Sequence, residues 1–443
     1  MRAAAERLIL FSRYPEPGAT KTRLIPVLGP EGAAEFQRRL SEHAARAAIE
    51  AGSRRGLALE IRYEGGSQAL MERWIEGPFA LRPQGCGDLG VRMQASLSAA
   101  FAEGVERAVL IGSDIPGLNA DTLLQAFDRL AQHDLAFGPA ADGGYYLIGM
   151  TAACFRRGMP NLMSGIAWGA SDVLARTLAM ARDAGLTVGL LETLADVDRP
   201  QDLPAAMQAL CAAKDPPALS VVIPALNEVD QLPITLATLN RTPGIEIMVV
   251  DGGSTDETLA AARAVGVRTL AAHPPRSIQM NAGAALAQGD ILLFLHADTR
   301  LPGDFVKQVR QTMSAACVAA GAFRLAIDGS LIGLRAIERV ANWRSRLLQM
   351  PYGDQALFMH RDLFWELGGF PPIPIMEDFE LVRRLKRRGR IALAPGCALT
   401  SNRRWLRLGA IRTWLINQAI IAAYYAGVPP PRLAVWYREK NFG

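Results

Sequence analysis

The chain has 443 residues, 50% of them hydrophobic, and its 48 Lys and Arg against 43 Asp and Glu leave a formal net charge of +5. This length is too great for one ordinary core and predicts two domains, or at most three. No window reaches the roughly 18 apolar residues that a membrane span requires. The five cysteines lie too far apart for a zinc cluster, which predicts reduced thiols and a cytoplasmic protein.

The N-terminal half alternates apolar strands with helices. We predict strands at 7–12, 57–63, 107–112, 134–138, 145–150 and 187–192, and helices at 30–52, 67–76, 88–103, 120–132 and 171–185. Such alternation is typical of a mostly parallel sheet flanked by helices.

Candidate site residues of this half follow its strands. They are Arg13, Gly18, Lys21, Arg23, Asp114, Asp142 and Asp198. The first four share one loop, and three cations on a Gly-containing turn suit a diphosphate or triphosphate. Asp114 and Asp198 could share a magnesium ion if the fold brings the strand ends together. For Asp142, a plain turn between strands is the alternative.

A composition break at residues 212–218 separates the two halves. Pro216 and Pro217 preclude a helix there, between an Ala-rich helix and the next strand. We therefore predict two domains, at residues 1–212 and 219–443.

The C-terminal half repeats the same architecture. We predict strands at 219–223, 246–250, 267–271 and 291–295, and helices at 228–240, 255–265, 276–288 and 303–316. The fold class is therefore α/β, with two tandem domains that each hold a mostly parallel sheet flanked by helices. Such sheets bind nucleotides at the carboxyl ends of their strands.

Polar residues at those strand ends are candidates for binding a nucleotide sugar. They are Pro224, Asn227 and Glu228 after the first strand, Asp251 and Gly253 after the second, and Arg276, Gln279 and Asn281 at the start of a helix. A carboxylate can accept hydrogen bonds from a base or ribose, and a helix start suits phosphate or ribose. For Asp251 alone, a turn residue is an equally plausible interpretation.

Sugar transfer also needs a cation for the leaving diphosphate and a base for the acceptor hydroxyl. Asp298 suits a hard divalent cation, with its neighbour His296 as a second ligand or as a hydrogen-bonding group. A helix N-cap is the alternative for Asp298. Glu377 and Asp378 supply paired carboxylates, one as base and the other as orienter.

These motifs, in this order, resemble the family 2 glycosyltransferases of the GT-A fold over roughly residues 219–405. The resemblance implies a nucleotide-sugar donor, a divalent metal such as manganese or magnesium, and an inverting transfer. It implies base recognition by Asp251, metal binding by Asp298 and catalysis by Asp378. The segment Arg403, Arg404 and Trp405 is similar to a basic-Trp motif that contacts diphosphate in processive relatives.

Two narrower resemblances follow. Residues 276–299, Gly353-Asp354-Gln355 and the C-terminal tail look like the subfamily named for arsenosugar biosynthesis. Residues 6–205 resemble a glycosyltransferase-like family of the DUF2064 type, which is related to small cofactor guanylyltransferases. Together they imply a fusion of two sugar-nucleotide domains.

Several alternatives stay open. The acceptor is a small molecule or a lipid, and transfer onto a carotenoid acid is the runner-up. The N-terminal half could be a nucleotidylyltransferase that makes the donor, or the whole chain a non-catalytic scaffold. We expect no nucleic-acid partner. The apolar segment at 414–428 predicts a packed helix, with peripheral membrane contact as the alternative.

Overall fold

The structure is a computed structural model that describes residues 5–157, 162–163, 165–210, 219–240, 242–329 and 333–442, without the side chains of residues 404 and 439–442. The predicted break at residues 212–218 lies outside the described residues. The chain separates into two compact units, Met1–Lys21 with Ala34–Leu210 and Thr22–Ala33 with Cys211–Gly443.

The first unit is a seven-stranded sheet with helices on both faces. Its strands are β1 (Glu6–Arg13), β2 (Ala58–Glu64), β3 (Phe79–Pro83), β4 (Arg107–Gly112), β5 (Leu135–Pro139), β6 (Tyr145–Thr151) and β7 (Val188–Leu190). Its helices are α1 (Ile25–Arg55, from Ala34 onward), α2 (Gln68–Trp74), α3 (Leu89–Ala102), α4 (Ala120–Leu130), α5 (Ala152–Arg156), α6 (Val173–Asp183) and α7 (Leu203–Leu210).

The strand order in this sheet is β3-β2-β1-β4-β6-β5-β7. Only β6 runs antiparallel to its neighbours among the described strands of the unit. Side chains alternate across β1, so Leu8 and Leu10 join one core cluster while Ile9 and Phe11 join the other. Both faces of the sheet are therefore covered.

The second unit contains an eight-stranded sheet. Its strands are β8 (Leu219–Ala225), β9 (Ile245–Asp251), β10 (Arg268–Ala271), β11 (Ile291–Phe294), β12 (Thr299–Arg300), β13 (Val318–Ile327), β14 (Phe358–His360) and β15 (Arg390–Thr400). Its helices are α8 (Leu232–Leu239), α9 (Thr258–Ala264), α10 (Arg276–Leu286), α11 (Phe305–Met313), α12 (Leu334–Leu347), α13 (Arg361–Glu366), α14 (Glu377–Leu385), α15 (Arg403–Leu408), α16 (Ala410–Tyr425) and α17 (Pro430–Phe442).

The strand order here is β10-β9-β8-β11-β14-β13-β15-β12, with β10, β9, β8 and β11 parallel. Helix α10 packs against this parallel part through Gly283. A Cβ atom at that position would lie 2.5 Å from Cγ1 of Val222 and 2.9 Å from Cγ2 of Val250. The glycine therefore lets the helix that carries Arg276 approach the sheet closely.

Both units are α/β with mostly parallel sheets, which confirms the predicted fold class. The four strands predicted in the C-terminal half are β8 to β11. The helix predicted from residue 228 begins only at Leu232, after a turn at residues 229–231. Strands β3, β12, β13, β14 and β15 were not predicted.

Among the described residues, no helix combines the length and the hydropathy needed to cross a bilayer.

Gly321 on β13 gives a test of the packing beneath the second sheet. A Cβ atom at this residue would lie 2.2 Å from Cε2 of Phe358 on the paired strand β14. We expect Gly321→Ala to lower the free energy of unfolding by about 1–3 kcal/mol through overpacking. Urea denaturation measures it, with Gly303→Ala as the control, since nothing lies within 4 Å of a Cβ atom there.

The smaller side chain of Phe358→Leu, added to Gly321→Ala, should restore part of the lost stability. Equal unfolding midpoints for Gly321→Ala and the wild type would contradict this account of the packing.

Candidate active site

A cavity of about 400 Å³ lies in the second unit beside the end of β11. Its walls come from the residues after β11, the turn before β14, the start of α14, and helices α15 to α17. Among its lining residues are Arg276, His296, Asp298, Tyr352, Gly353, Asp354, Glu377, Asp378, Trp405, Ile420, Ile421 and Arg438. The cavity thus gathers six of the residues that the sequence analysis selected, from segments more than a hundred residues apart.

Arg276 and Glu377 form an ion pair at the cavity wall. The guanidinium Nε and NH2 lie 2.8 Å and 2.7 Å from Oε1 of Glu377, whose side chain is 4% exposed. Burial opposes the charge on Arg276, but the carboxylates of Glu377 and Asp378 outweigh it and hold the pKa of Arg276 above its ordinary value. The guanidinium of Arg276 therefore stays charged, and the pair ties the start of α10 to the start of α14.

His296 lies next to this pair. Burial, and then the adjacent charge of Arg276, lower the pKa of His296 to about 3. The imidazole is neutral at physiological pH. Its Nε2 lies 3.1 Å from NH1 of Arg276, and a guanidinium can only donate, so Nε2 accepts and the ring proton sits on Nδ1.

Asp378 is held by two backbone donors. The amide of Gly353 donates to Oδ2 at 2.6 Å, and the amide of Phe379 donates to Oδ1 at 2.7 Å. A Cβ atom at Gly353 would lie 3.1 Å from both Asp378 Oδ2 and His296 Nε2. A glycine at position 353 therefore lets the turn before β14 sit between these two functional groups.

Asp354, which the sequence analysis did not select as a site residue, is a further carboxylate in the same wall. Burial raises the pKa of Asp354, Arg344 opposes the shift, and the Asp378 carboxylate adds to it. Its Oδ1 atom is buried and has no hydrogen-bond partner among the described residues. Its position in the Gly353-Asp354-Gln355 motif is the feature of the sequence that could have identified it as a site residue.

Arg403 links two more carboxylates. Its NH2 group lies 2.6 Å from Oε2 of Glu228 and 3.4 Å from Oδ2 of Asp298. Burial raises the pKa of Glu228, an effect that Arg403 opposes. Two residues after Arg403, Trp405 packs against a small apolar cluster and also lines the cavity. The side chain of Arg404 is outside what the structure describes.

The loop after β9 uses its polar groups internally. Asp251 is 4% exposed, and its carboxylate accepts hydrogen bonds from the amides of Gly253 and Ser254 at 3.0 Å each and from the Ser254 hydroxyl at 2.5 Å. Asn227 accepts the amide of Thr255 at 2.9 Å. These two side chains therefore shape the loop, as the turn-residue interpretation of Asp251 predicts.

Gln279 and Asn281 also lie inside the unit. Gln279 is 5% exposed, and its Nε2 would lie 2.4 Å from a Cβ atom at Gly252. Asn281 is fully buried, donates to the carbonyl of Phe370 at 2.8 Å and accepts the amide of Phe370 at 2.9 Å. Pro224 lines a small recess together with Arg276 and Asp378.

The first unit has a separate cavity of about 280 Å³. Asp114 and Asp142 line it, as does Asp196, a carboxylate that the sequence analysis did not select. Burial, and then the charges of Asp142 and Asp198, raise the pKa of Asp196, while Lys21 opposes them. This cavity is therefore rich in carboxylates.

A cation does bridge Asp114 and Asp198, but it is the ammonium of Lys21. Its Nζ atom lies 3.1 Å from Asp114 Oδ2 and 3.7 Å from Asp198 Oδ1. A magnesium ion between these carboxylates would compete with Lys21.

The other loop residues selected in this half lie as follows. Arg13 pairs with Glu64 at 3.0 Å, Gly18 adopts a φ of 81°, and Arg23 is an exposed residue grouped with the second unit.

Comparison with known proteins finds a matching protein family for each half of the chain. Residues 47–170 match a family described as an uncharacterized protein conserved in bacteria (DUF2064), and residues 220–368 match glycosyl transferase family 2. An uncharacterized glycosyltransferase of Mycobacterium tuberculosis (strain ATCC 25618 / H37Rv) is 30% identical over 180 residues, which cover 38% of this chain and 68% of that protein.

A PGL/p-HBAD biosynthesis glycosyltransferase of Mycobacterium bovis (strain BCG / Pasteur 1173P2) is 42% identical over 94 residues. The match covers 19% of this chain and spans 37% of that relative's length. Glucosyl-3-phosphoglycerate synthase from M. tuberculosis, solved with Mn²⁺, uridine diphosphate and glucosyl-3-phosphoglycerate, is 25% identical with a TM-score of 0.34, and the match covers 47% of this chain and 82% of that structure.

The depressed pKa of His296 predicts a pH dependence of stability. Because its folded pKa of about 3 lies below the ordinary 6.5, the unfolded state binds an extra proton in that window and stability falls as pH decreases through it. In metal-free protein, His296→Gln should therefore flatten the decline of the urea midpoint between pH 6.5 and 3.

The control for this measurement is His360→Gln, which changes an exposed histidine outside the cavity. The urea midpoint of His360→Gln should decline with falling pH as steeply as that of the wild type. Parallel pH profiles for the wild type and His296→Gln would show that His296 is not held neutral by its surroundings.

Proposed function

This chain belongs to the glycosyltransferases, with a family 2 domain at residues 220–368, and on that premise we propose that its second unit transfers a sugar from a nucleotide-sugar donor to an acceptor hydroxyl. The observation that carries the proposal is the convergence of Arg276, His296, Asp298, Glu377 and Asp378 on one cavity. Cations for a diphosphate and a carboxylate for a hydroxyl proton are the groups that such a transfer needs.

The donor diphosphate is assigned to the guanidinium groups of Arg276 and Arg403. Their side chains are 43% and 46% exposed, and each already holds a carboxylate at the cavity. A guanidinium has several N–H donors, so each of the two can donate to a phosphate oxygen of a bound donor while it keeps its carboxylate partner. Trp405 and Arg404 extend this proposed phosphate site, and the loop held by Asp251 is proposed to receive the base.

Asp378 is the proposed catalytic base. Glu377 is committed to Arg276, whereas Asp378 accepts hydrogen bonds from two backbone amides among the described residues and lines the cavity. In the proposed step the acceptor oxygen bonds to the anomeric carbon and its proton passes to Asp378. The bond from that carbon to the donor phosphate oxygen breaks, and the nucleoside diphosphate leaves with the electron pair. One such displacement inverts the anomeric configuration.

A divalent metal fits the residues on one side of the cavity. Among the described residues, no group of three or more His, Cys, Asp and Glu side chains is arranged to hold a metal. Manganese and magnesium at phosphate sites are, however, bound by one or two protein side chains together with substrate oxygens. Asp298 would hold the ion, which would neutralise charge on the leaving diphosphate. The lone pair of the neutral His296 is on Nε2, so His296 would join Asp298 only by exchanging the hydrogen bond from Arg276 for the ion.

The acceptor wall is partly apolar. Ile375, Ile420 and Ile421 line the cavity together with the cationic Arg438. This lining favours an acceptor with an apolar body and an anionic group, which supports a lipid or carotenoid acid as the alternative acceptor.

A role in arsenosugar-type biosynthesis rests on the subfamily resemblance, and a cytoplasmic location remains a prediction.

A second candidate function concerns the first unit. Its cavity, lined by Asp114 and Asp142, supports the alternative of a nucleotidylyltransferase that makes the donor. Pyrophosphate release by the full chain from a nucleoside triphosphate and a sugar phosphate would distinguish this bifunctional protein from a single transferase. The proposed relation to cofactor guanylyltransferases would gain support from the same result.

Replacing the proposed base should abolish transfer and leave donor binding intact. Asp378→Asn keeps one of the two backbone hydrogen bonds through its amide oxygen but cannot take up a proton, so we expect kcat to fall by roughly 100-fold or more. Calorimetry of donor binding and product formation separate the two effects. Asp362→Asn, an exposed substitution on α13, is the matched control. Transfer at the wild-type rate by Asp378→Asn would remove Asp378 as the base.

Removing divalent cations tests the proposed metal. Chelation should stop transfer, and manganese or magnesium should restore it in the wild type. In Asp298→Ala, restoration should require a higher metal concentration because one ligand is gone. Full activity in the presence of the chelator would contradict metal dependence.

A further inference from the structure

The C-terminal part of the chain carries an unusual charge distribution. Residues 381–438 contain 12 of the 48 Lys and Arg residues and none of the 43 Asp and Glu residues. This stretch includes α15, α16 and most of α17. Six of these cations lie at residues 383–390, where Arg383, Arg384 and Arg388 pair with Glu380 or Glu366, and Arg403 pairs with Glu228 and Asp298. The exposed Arg412 and Arg432, on α16 and α17, contribute positive potential to this part of the surface.

The same helices expose large apolar side chains. Leu406, Ile411 and Leu415 are 59%, 74% and 53% exposed, and Tyr425 and Val435 are 66% and 51% exposed. Apolar side chains of this size are scattered singly on ordinary surfaces, whereas a group of them marks a surface that another partner covers.

Helix α16 is apolar on two opposite faces. Thr413, Ile416 and Ile420 are buried on the inner side. The outer stripe consists of Ile411, Leu415, Ala419 and Ala422, all exposed. Their spacing of four, four and three residues keeps them on one face of the helix. The only charged residue of this helix, Arg412, is exposed beside the stripe.

We propose that the surface formed by α15, α16 and α17, here called the basic apolar face, docks on a bilayer that contains anionic lipids. Helices with apolar side chains beside cations lie in the interface of such membranes, with the apolar groups among the acyl chains and the cations at the headgroups. The exposed Arg412 and Arg432 are placed for the headgroup contact.

A second copy of the chain fits this face less well. A symmetric dimer pairs a surface patch with itself. The basic apolar face would then bring two sets of cations together without carboxylates from residues 381–438 to offset them. An anionic bilayer supplies the opposite charge and the apolar phase at once.

Docking in this way has a consequence for the cavity. Ile420 and Ile421 of α16 line the cavity, while Ile411 and Leu415 of the same helix lie on the basic apolar face. The membrane would therefore lie against the helix that forms the acceptor wall.

Cosedimentation of the full chain with lipid vesicles tests the proposal. The protein should bind vesicles of phosphatidylcholine mixed with phosphatidylglycerol, bind phosphatidylcholine alone weakly, and dissociate as salt rises. Ile411→Ser combined with Leu415→Ser should weaken binding by about tenfold or more. Leu70→Ser combined with Val91→Ser, which changes exposed residues of the first unit, is the matched control and should bind as the wild type does.

Thermal unfolding shows whether the variants fold, since exposed positions should leave the melting temperature unchanged. Absence of binding to anionic vesicles, or equal binding by all folded variants, would overturn the proposal. Analytical ultracentrifugation that found a dimer, lost in Ile411→Ser with Leu415→Ser, would overturn it in favour of a second copy.

Discussion

The ion pair between Arg276 and Glu377 is the interaction on which the proposed site depends. Glu377 is almost fully buried, and a buried carboxylate needs a charged or hydrogen-bonding partner, which Arg276 supplies. The pair fixes the starts of α10 and α14 against each other. It also places a guanidinium beside His296, which adds to the effect of burial in keeping that imidazole neutral. Asp378 faces the cavity and has no ion-pair partner in the described contacts.

Small residues allow the charged groups to meet. Gly283 lets α10 approach the sheet, and Gly353 lets a turn pass between His296 and Asp378. In the same unit, α16 contributes one side to the cavity and exposes an apolar stripe on the other. The acceptor wall and the proposed membrane face are therefore two sides of one helix. A shift of α16 would change both the cavity and the membrane contact.

The sequence predicted the fold class and the parallel strands at the centre of each sheet, because buried parallel strands are continuous apolar runs. It did not predict β15, which contains Pro395 and Gly396. It selected the cavity residues Arg276, Asp298 and Asp378 by their motifs. It could not tell them from the buried Gln279, or from Asn281, which forms its hydrogen bonds inside the unit. Polar residues look alike in a sequence whether they bind a ligand or their own backbone. Asp354 and Asp196 were missed because the segments that bury them, and so raise their pKa values, are distant in the sequence.

The central claim is that the cavity of the second unit binds a nucleotide sugar. The most direct measurement is calorimetric binding of a panel of nucleotide sugars, with manganese present, to the wild type and to Gly353→Val. A side chain at residue 353 would enter the space between His296 and Asp378. The account predicts that at least one nucleotide sugar binds the wild type and that the folded variant loses this binding. Equal binding by both proteins, or binding by neither, would contradict it.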